Sequence, residues 1–383
     1  MKRRRVSSLA AALLLLVGVG CAPTEPPSTA STTTSTTTVV ASPTASNISA
    51  GEQHSCAVLA SGGVRCWGAD QYGQVGDGTT TAVDGVPVEV LGVSDAMSVA
   101  AGGKGSCAVR AGGLVACWGA LAGSPAVPAD VAGITGAVQV AVGGSHACAL
   151  IGDGTVECWG GNNFGQLGNG GTAPSAVPQA VPGITDATQI DASSFRTCVV
   201  RSGGGVACWG TFNADIVSGV FVGTLPVDVA GITSAVGVAA GGSHSCAVLS
   251  DGAVDCWGHG GFGQLGNGSS DDSAVAVPVT GVTTAVQIDA GYDHNCATLA
   301  SGSVSCWGHG TAGQLGNGAF IDSTTPVGVG LGYAVAAVSS GGNHSCAALV
   351  NGDTTCWGES SYRQLGNNAT TNSSLPVYMP RFG

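Results

Sequence analysis

The sequence predicts an all-β fold, a ring of four-stranded antiparallel blades, and three observations carry that expectation. A cysteine pair ten positions apart, followed at once by Trp-Gly, recurs seven times: Cys56 with Cys66, Cys107 with Cys117, Cys148 with Cys158, Cys198 with Cys208, Cys246 with Cys256, Cys296 with Cys306, and Cys346 with Cys356. Self-similar units of ~50 residues run from about residue 45 to 383, so one repeat architecture covers most of a chain whose length alone would allow two domains. Each unit holds four short apolar runs separated by Gly- and Asn-rich turns, the arithmetic of a β-propeller blade, without the three-and-four spacing of helices. Composition agrees: 44% apolar residues supply a core, while 65 glycines and only 9% charged residues suit short strands and tight turns.

Residues 1–20 read as an export signal. Lys2, Arg3, Arg4 and Arg5 precede an apolar run from Leu9 to Val17, too short for a membrane span. The segment Gly18-Val19-Gly20-Cys21 resembles a bacterial lipoprotein signal, in which the cysteine is lipidated and becomes the first residue; Gly18 stands where that motif prefers Leu. The alternative is an ordinary cleaved secretion signal, but Cys21 is the one cysteine without a repeat partner. Loss of residues 1–20 leaves 7 basic against 23 acidic side chains, a formal −16, with Lys104 the last lysine. Such a chain repels phosphate backbones and anionic lipid heads, so no nucleic-acid partner is expected, and membrane attachment is expected only through the lipid. Residues 21–44, rich in Ser, Thr, Pro and Ala, cannot bury enough apolar surface to order and are expected to form a tether, with an r.m.s. reach of roughly 25–30 Å. The propeller is expected over 45–383.

The fifth unit shows the blade. Val236 to Ala239 is a first β-prone run, ended by Gly241-Gly242; His244 to Leu249 is a second; Asp251-Gly252 is a turn; Val254 to Trp257 is a third run. After the loop Gly263-Gln264-Leu265-Gly266, Val275 to Val279 reads as a fourth strand, with Pro278 suited to an edge. A hairpin centred on Asp251 sets Cys246 opposite Cys256, Val248 opposite Val254 and Ser245 opposite Trp257, close to disulfide geometry. Seven local disulfides follow for an exported chain. Zinc and redox pairs fit poorly, because the spacing is nine intervening residues and no CxxC occurs. The tryptophans are expected to fill the space between blades. His54, His146, His244, His294 and His344 lie about 50 residues apart, too dispersed for one coordination sphere, and each is expected to bond a nearby backbone group. No metal or cofactor is expected.

The unit, with its Gly-x-x-His-Ser start, Asp-Gly turn, Trp-Gly and Gly-Gln-Leu-Gly, resembles the repeat of the regulator of chromosome condensation family. The likeness is clearest in Phe164 to Gly170, 262–268 and 313–318, and looser at Tyr72 to Gly78 and Tyr362 to Asn368. It implies a seven-bladed propeller whose ring is closed by both chain ends combined in one blade. The cysteines are an addition to the family's usual repeat. The founding member's nucleotide-exchange role on a small nuclear GTPase does not carry over, because fold does not imply function and no residue here maps to an exchange site.

Function is expected where the repeats are irregular. The second unit lacks the Gly-Gln-Leu-Gly loop, having Ala120 to Pro125 instead, and has Gly105 at the histidine position. The fourth also lacks the loop, has Arg196 at that position, and carries Phe212, Ile216, Val217, Val220 and Phe221 between Thr211 and Gly223. Arg196, Phe212 and Phe221 are therefore the candidate binding patch. Enzyme signatures are weak: every His-Ser belongs to the repeat, Gly203-Gly204-Gly205 precedes no P-loop lysine, and Asp271-Asp272 sits in a polar loop. The expected protein is a monomeric, non-catalytic interaction module at the cell envelope or secreted, with a protein partner. An inhibitor of an extracellular enzyme is one alternative, since a secreted β-lactamase inhibitor shares this propeller. A propeller lyase or hydrolase acting at the central channel is the other.

Overall fold

The computed structural model describes residues 48–121, 126–211 and 223–379, all within one compact unit. These residues form seven four-stranded antiparallel sheets, each made of four consecutive strands, and no helix occurs among them. The blades span 48–89, 96–130, 137–180, 187–228, 235–278, 285–328 and 335–378, numbered 1 to 7 below. In blade 5 the strands are Ala235–Ala240, His244–Leu249, Val254–Gly258 and Ser273–Pro278, from the channel outward. The hairpin register is the expected one: Cys246 pairs with Cys256, Ser245 with Trp257 and Val248 with Val254. The outermost strand starts earlier than its apolar run, at Ser273 opposite Gly258, because an irregularity in the ladder lets a polar segment join the edge.

Each blade carries one disulfide across its central hairpin. In blades 1 to 4 the bonds join Cys56 to Cys66, Cys107 to Cys117, Cys148 to Cys158, and Cys198 to Cys208. In blades 5 to 7 they join Cys246 to Cys256, Cys296 to Cys306, and Cys346 to Cys356. The Cα atoms of every pair are 4.0–4.1 Å apart, the close spacing of a non-hydrogen-bonded antiparallel pair. The second cysteine of each pair (Cys66, Cys117, Cys158, Cys208, Cys256, Cys306 and Cys356) is as buried as the first, so the bonds lie in the core and not on the rim. Each tryptophan is buried against the preceding blade: Trp118 packs with Val64, Val75 and Val90 of blade 1, and Trp357 with Val304 and Leu315 of blade 6. The core is therefore a series of inter-blade layers.

Ring closure differs from the expectation. No sheet mixes strands from the two chain ends among the described residues. The N-terminal strand Ile48–Ala50 is the innermost strand of blade 1, and Ser373–Tyr378 is the outermost strand of blade 7. Among the described residues every strand belongs to one of the seven four-stranded sheets, and none is exchanged between the first and last blades. Blade 7 meets blade 1 by face packing around Trp67 and Ile48, as other blades meet.

Candidate functional site: blade junctions and the central channel

Five of the histidines build a lock between blades. His54 Nε2 lies 2.7 Å from Ser106 Oγ of the next blade, while the Ser106 hydroxyl donates to Gln74 O at 3.0 Å and Trp118 Nε1 donates to the same carbonyl at 2.9 Å. The hydroxyl proton is committed to Gln74, so the imidazole donates from Nε2 and its Nδ1 is bare. His146 with Thr197, His244 with Asn295, His294 with Ser345 and His344 with Ser55 repeat the contact at 2.8–2.9 Å. Each bare Nδ1 is buried without a partner and faces the glycine three residues before it, where a Cβ would collide with the ring. Protonation would bury a charge and an unmatched donor. Burial accordingly pushes His54, His146, His294 and His344 down to about 3. The sequence-based expectation of a backbone partner is corrected: the partner is a side chain one blade away.

The Gly-Gln-Leu-Gly loop supplies the carbonyl of this lock. Its last glycine has positive φ in all five blades that carry a version of it, and a Cβ there would fall 2.7–3.0 Å from the next tryptophan's indole. The two irregular junctions lack the histidine and the loop, and the 2–3 junction lacks the hydroxyl as well. Between blades 2 and 3, Gly105 replaces the histidine and Ala147 the hydroxyl, with Leu121 filling the space. Between blades 4 and 5, Ser193 replaces the glycine and Arg196 the histidine.

Arg196 is 0% exposed, and its Nη2 donates to Gly241 O at 2.8 Å and to His244 O. That burial withdraws it from any surface patch, and it acts instead as the cross-blade tie of its junction. Phe212 and Phe221, its expected companions, lie outside the described residues, as do Cys21 and segments 1–20 and 21–44. Asp271 and Asp272 accept hydrogen bonds from Ser269 Oγ and Gly260 N within their own loop.

The innermost strands surround a cavity of about 170 Å³. They do not pair with one another as a sheet; side chains stitch them instead. Gln139 bonds both backbone groups of Ile190, Gln189 those of Val238 and Gln287 those of Val338. One turn of the pleat further, Ser49, Asp191, Asp289 and Ser339 accept from the backbone N–H of Ala101, Ala240, Ser340 and Ala50 on the next blade. Asp191 and Asp289 line the lumen, where restricted hydration raises both above the usual carboxylate range, and the charge of Asp289 raises Asp191 further. Across one mouth, Ser194 Oγ of blade 4 donates to Glu52 Oε1 of blade 1 at 2.9 Å. Tyr292 of blade 6 joins them, its hydroxyl raised by burial and by Glu52. Sequence reasoning missed these channel residues. The signal was present: in a chain with 9% charged residues, the apolar inner strand twice reads Ile-Asp-Ala, at 190–192 and 288–290.

Models of the regulator of chromosome condensation (RCC1) repeat match this chain at residues 61–109, 153–200, 251–298 and 301–348, and at 45–74, 137–166, 235–264, 285–314 and 335–364. No curated protein sequence matches it. Among solved structures, human WBSCR16 is 21% identical with a TM-score of 0.71, covering 79% of this chain and 86% of that one. Yeast RCC1 (Prp20), solved bound to Kap60, is 19% identical with a TM-score of 0.71 and 83% coverage of both chains. The ectodomain of the Arabidopsis thaliana receptor kinase ACR4 is 20% identical with a TM-score of 0.51, covering 82% of this chain and 97% of that one. At these identities the structural likeness speaks for the fold, but the repeat matches span more than half of the sequence, the longer ones each running from one blade into the next, and the chain belongs to the regulator of chromosome condensation (RCC1) repeat family.

Proposed function

We propose that this protein is an extracytoplasmic interaction module without catalytic activity, exported by residues 1–20 and held at the cell envelope by a lipid on Cys21, with 21–44 as its tether. The observation that carries the reading is the set of seven intrachain disulfides, which suits an oxidising compartment. The cysteines that look most reactive in the sequence are thereby committed to scaffold. The partner is a protein: yeast RCC1 is solved with Kap60, and Prp20p is described with binding to Gsp1p and histones, so this fold serves protein recognition elsewhere. The binding surface is the irregular side of the ring, with Phe212 and Phe221 as apolar anchors.

Two measurements test the reading. Metabolic labelling with an alkyne fatty acid should mark the unaltered chain and leave Cys21→Ala unmarked; equal labelling, or none, removes the anchor. Cross-linking on intact cells should give one stoichiometric protein adduct, lost when Phe212→Ala and Phe221→Ala are combined while all seven disulfides still form. An adduct that survives the double variant removes the patch, and turnover of a cell-wall polysaccharide by the purified chain removes the non-catalytic assignment.

A further inference from the structure

The innermost strands enclose a cavity in the channel, apart from the irregular units to which the protein partner was assigned. This cavity of about 170 Å³ is comparable with the roughly 150 Å³ engineered cavity that admits benzene. Two carboxylates, Asp191 and Asp289, stand on its wall, and no lysine, arginine or histidine is among the lining residues. Beside Asp289, Ser340 is 6% exposed and its amide donates to Asp289 Oδ2 at 2.9 Å, yet its hydroxyl has no hydrogen-bond partner. Ser193 Oγ, on the wall toward the Glu52 mouth, is likewise buried and unpartnered. The glutamines of the lumen are already spent on the neighbouring blades. At the opposite mouth the inner strands expose an apolar ring: Met97 (62%), Val138 (56%), Val236 (55%) and Val286 (60%), the last two lining the cavity.

The one cation whose charge reaches Asp191 is buried Arg196, which lies outside the lining and donates to the carbonyls of Gly241 and His244. Carboxylates in a lumen lined by no cation and aliphatic side chains at the entrance describe a ligand with one charged end and an apolar stem. We propose that the channel binds a linear alkylammonium group, its ammonium at Asp191, Asp289 and the Ser340 hydroxyl and its methylenes against the Val236–Val286 rim. An ammonium has three donors and no acceptor, which matches two carboxylates and a hydroxyl. The stem distinguishes it from a bare metal ion, which would gain nothing from the rim and would need more oxygen ligands than the lumen offers. The ammonium belongs either to a free amine or to a lysine side chain.

Isothermal titration of the full-length oxidised chain with n-butylammonium chloride should show one saturable site, and n-butanol should show none. Asp191→Asn and Asp289→Asn, which keep the acceptor for Ala240 and Ser340, should each weaken binding by about tenfold or more. A capped pentapeptide with a central lysine forms a second arm: binding assigns a lysine source, and failure beside a binding amine assigns a free amine. Equal binding of butanol, no binding of butylammonium, or unchanged affinity in both variants overturns the proposal. Should the variants fail to fold, carboxyl-carbon chemical shifts of Asp191 and Asp289 in the unaltered chain still decide: they should move with butylammonium and not with butanol, and shifts that stay put overturn it.

Discussion

At the residue scale, the stability of this ring rests on neutral imidazoles. His294 donates to Ser345, and Ser345 to Gln314 O, so His294→Ala leaves a buried hydroxyl and a void. It should cost about 1–3 kcal/mol, read by chemical denaturation. Gly316→Ala should also destabilise, by about 1 kcal/mol or more, because φ is 66° and the new methyl meets Trp357 at 2.7 Å. The same histidines set the response to acid. Their folded pKa lies near 3, below the unfolded 6.5, so the neutral form stabilises the fold at neutral pH, and that contribution falls as pH drops below 6.5 toward 3. Each titrating histidine contributes about 1.4 kcal/mol per pH unit in that window. Asp191 and Asp289 act in the opposite sense: their raised pKa values favour the fold below the unfolded carboxylate range and disfavour it as pH rises. Burial raises Asp70, Asp84 and Asp255 in the same sense as the channel pair. Only part of the carboxylate titration falls in the histidine window, however, and the five histidines act across all of it, so unfolding midpoints in urea should fall between about pH 6.5 and 4; a flat profile would contradict the lock. The positions of these histidines were plain from the repeat, but their partners were not. A partner one blade away is invisible to local spacing. Gly105 and Ala147, which lose both ends of one lock together, were the available clue.

At the scale of the element, the hairpin was fully readable because its register is symmetric about one turn and a disulfide marks it. The outermost strands were less so: Ser273 joins the edge through a ladder irregularity that no apolar pattern announces. The disulfide closes a local loop, so its effect on the unfolded chain is modest. Replacing Cys296 and Cys306 together by alanine should lower stability by up to about 2.5–3 kcal/mol and leave the fold intact. The innermost strands have another vulnerability. They depend on side chains for their cross-blade bonds, and Gln287→Ala would strand both the N–H and the C=O of Val338. That single change should cost about 1–3 kcal/mol, with faster amide exchange confined to the channel face of blade 7. Blade 5 has Gly237 at the same position, so the stitch is used selectively.

For the whole molecule, closure is a property of junctions and not of a shared blade. The break between chain ends falls between blades 7 and 1, where His344–Ser55 and Trp67–Gln364 O form a complete lock. The two junctions without the histidine lock, 2–3 and 4–5, are both spanned by continuous chain. A junction that lacks the lock depends more on the covalent link, because the link keeps neighbouring blades at high effective concentration. This makes a contrast testable by circular permutation. Joining residue 379 to 48 through a flexible linker of about eight residues, the length of the 280–287 segment that makes the equivalent connection between blades 5 and 6, and opening the chain at Thr280-Gly281 places the break at a junction locked by His244–Asn295 and Trp307–Gln264 O. Opening at Ala132-Gly133 places it at the unlocked 2–3 junction. Gly281 and Gly133 both have open space around them, so the new ends themselves disturb little. The first permutant should melt within a few degrees of the parent, and the second should melt clearly lower and be cleaved faster by protease near blade 2. Equal melting of the two would mean that the lock contributes nothing to holding the ring shut, and the stabilising role assigned to the histidines would fall with it.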